Sequence, residues 1–358
     1  MLIAAIAAGI TAFLVPPDAR YAEYFDMRTI ACLFCTLAVI CALRNVRFFY
    51  TVAAKIVSMV KNLRLAVLAL VAVTFIGSML IANDMALLTF LPLGYFVLIT
   101  TRKEEQMAKV FILQNIAANL GGMLTPFGNP QNLYLYGKYA IPNGAFFQTM
   151  LPPFLLATAM IGASCFLFFP KEELTVEGAA RKLPIWRVAI YLALFLLSIL
   201  VVFRVVPYPI GLAVVTAALL LLDPIALAKV DYGLLLTFVF FFIFAGNLSR
   251  VDAVRALFSG LLDRNALLVS AISCQLISNV PSAILLSQFT EQWRPLLLGV
   301  NIGGCGTIIS SLASLITFRE YTEHNPKKGG KYLALFSAFN FTLLLILLLF
   351  CALLLRIG

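Results

Sequence analysis

At 358 residues, with 62% hydrophobic and only 12% charged side chains and a mean hydropathy of +1.01, the chain lies outside the soluble range and reads as an integral membrane protein. It lacks a polar segment long enough for an extramembrane catalytic domain, since the longest charged stretches, such as Pro170 to Arg187, are loop-sized. The net charge of +10 does not indicate nucleic acid, because the Lys and Arg residues sit in short loops between apolar runs, where they act as orientation signals.

Two apolar runs open the chain, Met1 to Pro16 and Arg28 to Leu43, joined by a polar turn around Asp18 to Asp26. The first has no basic leader and no small-residue cleavage site, so a retained span is expected and not a signal peptide. Arg44 to Arg64 spaces Arg44, Arg47, Lys55, Lys61 and Arg64 among apolar residues, the pattern of an interfacial helix on the cytoplasmic face. Leu65 to Thr100 is apolar except for Asn83 and Asp84 at its middle, and both of its flanks are basic. Positive-inside reasoning puts both ends in the cytoplasm, which fits two spans or a re-entrant hairpin tipped by Asn83 and Asp84; the repeat described next favours the hairpin.

The stretch Asn119 to Asn132, NLGGMLTPFGNPQN, interrupts an apolar run without any charge. Pro126 and Pro130 lack an N–H and Gly121, Gly122 and Gly128 relax the backbone, so a helix entering at Val110 is expected to unwind near Leu124. At membrane depth, unwound backbone survives only inside protein or beside a watery cavity. Thr125, Asn129, Gln131 and Asn132 add hydroxyl and amide oxygens suited to a hard cation, and amide donors suited to an anion.

Ala145 to Phe169 is a further span, the loop Pro170 to Arg187 returns Lys171, Arg181, Lys182 and Arg187 to the cytoplasm, and Val188 to Phe203 adds another span. Tyr208 to Leu222 and Tyr232 to Leu248 follow, then an amphipathic Ser249 to Arg264, an apolar limb to a break at Ser278, Asn279, Val280 and Pro281, a second Gly-rich interruption, Asn301 to Ser314, and a last span from Tyr332 to Leu355. A constant shift of 182 positions superimposes Asn119 on Asn301, Gly121 and Gly122 on Gly303 and Gly304, and Thr125 on Thr307. Paired interruptions in matching halves of a hydrophobic chain mark a transporter's midplane site. The expected fold is therefore an all-α membrane protein, an inverted-repeat transporter with two re-entrant hairpins, two broken helices (110–140 and 297–318) and about nine full spans. Residues 1–187 form the first repeat, 188–207 a linker span and 208–358 the second repeat.

Among the polar residues, Asp84 stands out, because an intramembrane carboxylate costs roughly 2.5–3.5 kcal/mol on insertion scales. It reads as a cation or proton carrier, or as a cap on a half-helix N-terminus. Asp223, before Pro224, reads as a cap or surface residue, and His324 as a solvated residue in a polar loop with Lys327 and Lys328. The seven cysteines lie in or next to apolar runs and read as small hydrophobes, Cys32 and Cys35 included despite their C-x-x-C spacing. The substrate-facing residues are expected to be Asn83, Asp84, Asn129, Asn132, Ser278, Asn279, Thr307 and Ser310. Ion contacts are expected from Asn83, Asp84, Thr125, Gly128, Asn129, Asn279, Thr307 and Ser311.

These residues resemble the ion transporter superfamily, which includes the arsenical pump and NhaD-type antiporter group and the sodium-coupled dicarboxylate and citrate carriers. The resemblance covers nearly the whole chain, through both tips and both broken helices. The tip Asn of that superfamily matches Asn83 and Asn279, whereas the first flanking Ser and both Thr of the dicarboxylate carriers' Ser-Asn-Thr are absent here, which is closer to the arsenical-pump and NhaD-type branch. The resemblance implies a homodimer in a bacterial or archaeal cytoplasmic membrane with an elevator-like movement. The expected function is secondary active transport of a small anion or ion, coupled to Na⁺ or H⁺, with no cofactor and with lipid as surroundings. A Na⁺/H⁺ antiporter without an anionic substrate and an ion channel stay open as alternatives. An enzyme is not expected, because HExxH, a catalytic His and paired carboxylates are missing from the spans.

Overall fold

The computed structural model describes residues 1–173 and 183–357; Arg181 and Lys182 of the expected cytoplasmic loop lie outside the described residues. Helices α1 (Leu2–Leu14), α2 (Met27–Asn45) and α3 (Phe48–Ser58) lead into a helical hairpin, α4 (Leu63–Ile81) and α5 (Asn83–Thr100). A broken helix follows as α6 (Met107–Gly121) and α7 (Pro130–Lys138), then α8 (Asn143–Phe168), α9 (Ile185–Val202), α10 (Tyr208–Leu222), the short α11 (Pro224–Ala228) and α12 (Tyr232–Ser249). The second hairpin is α13 (Asp252–Ile277) with α14 (Asn279–Leu286), the second broken helix α15 (Trp293–Ile302) with α16 (Leu312–His324), and α17 (Gly329–Ile357) ends the chain. Among the described residues helices are the only extended regular elements, and 8 of them are long and apolar enough to cross a membrane. The chain is an all-α integral membrane protein.

The helix ends follow from local chemistry. Asn62 accepts from the Leu65 N–H at 2.9 Å to start α4, Asp26 from Thr29 at 3.0 Å to start α2, and Asp231 from Leu234 at 2.8 Å to start α12. Each satisfies a donor that a helix N-terminus otherwise leaves open. The first apolar run yields only a 13-residue helix, because Pro16 and Pro17 follow its extended C-cap, Val15. The expected amphipathic segment and apolar limb of the second half form one element, α13, with a kink at Asn265 (φ −163°, ψ 84°) where they join. Asn265 caps the second part by accepting from the Leu268 N–H at 2.9 Å.

Helix α6 lies at the centre and packs against α4, α5, α8, α16 and α17. Its residues from Val110 to Gly121 are all buried, including Gln114, Asn115 and Asn119. The amides there are wired to neighbours: Gln114 donates to Thr74 Oγ1 and to the Phe90 carbonyl, both at 3.1 Å. Asp223 is a cap, as expected, for α11 through the Ala226 N–H at 3.1 Å. It is also buried, and its two carboxylate oxygens accept from Asn45 Nδ2 at 3.2 and 3.0 Å, tying α2 to α11. His324 is exposed, as expected of a solvated residue, but it belongs to a helix and not to the loop. It ends α16, and its ring stacks on Tyr95 of α5 with centroids 3.7 Å apart. All seven cysteines are buried and unpaired, in keeping with their reading as small hydrophobes.

Candidate functional site

Each hairpin turns on one residue in a backbone conformation that side chains rarely adopt. Ala82 has φ 61° and ψ 150°, and Ser278 has φ 74° and ψ 161°. Such geometry costs of order 1–3 kcal/mol per residue and persists only where its surroundings enforce it. In each case the next residue is the tip Asn, whose Oδ1 accepts from the following N–H: Asn83 from Asp84 at 3.0 Å and Asn279 from Val280 at 2.9 Å. Both Asn side chains are buried. A shift of 196 positions therefore relates the two tips in conformation as well as in sequence.

The breaks repeat one another in the same way. Thr125 Oγ1 donates to the Met79 carbonyl at 2.7 Å, and Thr307 Oγ1 to the Gln275 carbonyl at 3.1 Å, each acceptor lying four residues before its tip Asn. Gly121 and Gly303 are close approaches: a Cβ on Gly121 would collide with the Phe75 carbonyl and Ser78 Oγ, and one on Gly303 with Cys274 Sγ and Ala271 Cα. Asn129 and Ser311 precede α7 and α16 as extended N-cap residues. Across the two halves, Asn129 donates to Asn301 Oδ1 at 3.3 Å and Asn301 donates to Asn132 Oδ1 at 2.6 Å, while the second tip joins its own broken helix, the Asn279 N–H donating to the Ser310 carbonyl at 2.9 Å. The tip of the first hairpin joins its own broken helix, Asn83 donating to Asn119 Oδ1 at 3.1 Å.

The carbonyls freed at the breaks have amide donors. Asn132 Nδ2 reaches those of Gly122, Met123 and Thr125 at 3.2–3.3 Å, and Gln275 Nε2 those of Gly303 and Cys305 at 2.9 and 3.1 Å. Ser310 Oγ donates to the Gly304 carbonyl at 2.8 Å. A carbonyl has two lone pairs, so these bonds hold the loops in shape without consuming every acceptor.

Beside the tips lies a cavity of about 480 Å³, lined by Asn83, Asp84, Pro130, Gln131, Asn279, Val280 and Leu312. Those residues begin α5, α7, α14 and α16, so four helix N-termini converge on one space. Their partial positive charges favour an anion there. Against them stand Asp84 and Asp231; no Lys, Arg or His lines the cavity among the described residues. Asp84 Oδ1 and Gln131 Oε1 are buried and accept no hydrogen bond from described residues. Phe241, Ile309 and Leu315 complete an apolar wall.

Of the residues expected to face substrate, Asn83, Asp84, Ser278 and Asn279 line this cavity, while Asn129, Asn132, Thr307 and Ser310 lie behind it in the network joining the breaks. Of those expected at the ion, Asn83, Asp84 and Asn279 again line it; Thr125, Gly128, Asn129, Thr307 and Ser311 hold the loops behind it. Asp231, the N-cap of α12, also lines the cavity and was not singled out from the sequence. Gln275 was also missed, although a lone amide four residues before a tip in an apolar limb is a visible signal.

Comparison with known proteins agrees with this architecture. A family profile described as "Citrate transporter" (CitMHS) matches residues 1–296. An uncharacterized transporter of Methanocaldococcus jannaschii is 32% identical over 295 residues, covering 82% of this chain and 81% of the relative. The inner membrane protein YbiR of Escherichia coli is 31% identical over 268 residues, covering 72% of this chain and 69% of that protein.

Proposed function

The chain belongs to the citrate transporter family, and on that premise we propose that it is a secondary active transporter for a small organic or inorganic anion, coupled to Na⁺ or H⁺. The observation that carries this reading is the convergence of four helix N-termini on one cavity that also holds Asp84 and Asp231. The dipoles attract an anion, the two carboxylates repel it, and a cation or protons resolve the conflict by loading with it. Such mutual dependence is what couples two solutes. A multicarboxylate such as citrate fits the family and the charge pattern, entering together with its neutralising cation.

Transport follows from alternating exposure of this cavity. The hairpins and broken helices form the carrying unit, with residues 1–187 and 208–358 as two inverted repeats about the linker span 188–207. The tips enter from opposite faces as re-entrant hairpins, and the unit moves in an elevator-like fashion within a homodimer, as the superfamily resemblance implies. Cysteine labelling tests the inversion: on a cysteine-free background, positions in α3 should react only from inside and positions in 252–264 only from outside. Both reacting from one side removes the inverted-repeat reading.

The direct test is flux in proteoliposomes, with citrate and smaller carboxylates offered under imposed Na⁺ or pH gradients. Saturable uptake with counterflow is expected. Unitary currents would instead identify a channel, and cation exchange with no anion dependence would identify a Na⁺/H⁺ antiporter.

A further inference from the structure

Away from the tips, a second cavity of about 540 Å³ opens where α8 begins and α17 ends, and its rim carries Arg264, Arg294 and Arg356. One carboxylate, Asp263, shares the lining, which leaves an excess of positive charge. No ion pair engages the three guanidinium groups among the described residues. Three arginines from three different helices, turned to one crevice and not neutralised by one another's carboxylates, make an anion site of multiple donors.

The depth and shape of the crevice select the anion. Trp293, beside Arg294, has the guanidinium over its ring at 5.4 Å, and Trp with Arg is the pairing found at the level of lipid headgroups. Below the rim the lining turns apolar with Leu267, Leu298 and Leu355. On α17 the residues Leu345, Leu349 and Leu353, spaced by four on one face, are 58%, 67% and 58% exposed, and that stripe runs up to Arg356. A positive rim above an exposed apolar track matches an amphiphile with an anionic head and does not match a small free ion.

We propose that this crevice binds an anionic phospholipid, its phosphate held between Arg264, Arg294 and Arg356 and one acyl chain laid along α17. Arg264 directly precedes the kink at Asn265, so the lipid braces the amphipathic part of α13 against α15 and α17. This site stands apart from the proposed transport cavity and does not depend on the identity of the cargo.

The test uses the purified full chain in neutral detergent, with unfolding midpoints and native mass spectrometry read after adding phosphatidylglycerol, phosphatidylcholine or sodium phosphate. Phosphatidylglycerol should raise the midpoint and remain bound in the gas phase, and phosphatidylcholine should do neither. The R264Q/R294Q/R356Q variant should keep its lipid-free midpoint and bind phosphatidylglycerol on the order of a hundred-fold more weakly. Should that variant fail to fold, R294Q alone should weaken binding about fivefold. An unchanged phosphatidylglycerol response in the folded variants overturns the proposal, and so does an equal shift from sodium phosphate alone, which would mark a small-anion site.

Discussion

Asn129 and Asn301 meet across the two helix breaks, the Asn129 amide donating to Asn301 Oδ1 at 3.3 Å while Asn301 donates in turn to Asn132. Each belongs to a different half of the chain, and both are buried. The contact makes the two breaks a single unit, so neither loop can reorganise without unpairing a polar group that water does not reach.

Replacing Asn301 with Leu should therefore destabilise the protein. Asn132 Oδ1 loses its donor and the Asn129 amide keeps only the Asn119 carbonyl, at 3.4 Å; a buried polar group left unpaired costs about 1–3 kcal/mol. Thermal unfolding in detergent should show a lower midpoint for N301L, and transport in liposomes should fall at least as far as the folded fraction. A midpoint equal to wild type would mean that the breaks are held by something other than this network.

Gly121 offers a test by size alone. A methyl group at this position would sit against the Phe75 carbonyl and Ser78 Oγ, whereas one at Gly162 of α8 would meet nothing within 4 Å. Gly121→Ala should force α6 away from α4 and cost about 1–3 kcal/mol, the usual range for overpacking. Gly162→Ala should be neutral or slightly stabilising, because Ala is the better helix former. Parallel unfolding curves for the two variants decide the matter; equal midpoints would show that α4 and α6 are not held at this spacing.

Asp18, in the turn after α1, pairs with Arg250 at the end of α12 at 2.6 Å. The Arg250 guanidinium holds the Asp18 carboxyl below its ordinary range. A carboxylate depressed in the folded state contributes stability above its unfolded pKa of about 3.9, and the contribution disappears as pH falls through the folded value. The pair is partly exposed, so salt should weaken it. Unfolding midpoints of Asp18→Asn and wild type should differ slightly at pH 7 in low salt and converge below about pH 4 or in high salt. A gap that grows with acidity would contradict this assignment.

Much of the candidate site's lining was legible because an apolar chain makes each polar residue conspicuous. Asn83, Asp84, Ser278 and Asn279 are anomalies in hydrocarbon, and all four are among the residues that line the cavity. The glycines were readable for the same reason, and Gly121 and Gly303 do mark close approaches. Two things were not legible. Thr125, Thr307 and Ser310 carry oxygens suited to a cation, but whether a hydroxyl faces a cavity or a neighbouring carbonyl depends on helix rotation, which composition does not encode; here they bind carbonyls. Asp231 caps α12, and the packing of α12 against α14 brings that cap to the candidate cavity.

Asp84 is the residue on which the proposed coupling turns. It begins α5, lines the cavity beside Gln131, and has one carboxylate oxygen buried without a hydrogen-bond donor. In that position a proton or Na⁺ removes the charge that opposes the anion, so the two cations should compete for it. Asp84→Asn fixes the neutral form and keeps the side-chain volume. The variant should still bind the anion, read as a substrate-induced rise in unfolding midpoint. Wild-type transport governed by one titrating group changes by up to about tenfold per pH unit on the limiting side, and D84N should lose that slope together with its response to a Na⁺ gradient. Asp231→Asn serves as the comparison, since Asp231 lies on α12 and keeps its cap geometry as an amide. If D84N transports with pH and Na⁺ profiles unchanged from wild type, Asp84 serves only as a first-turn carboxylate for α5, and coupling has to reside at Asp231 or at the carbonyls of the breaks.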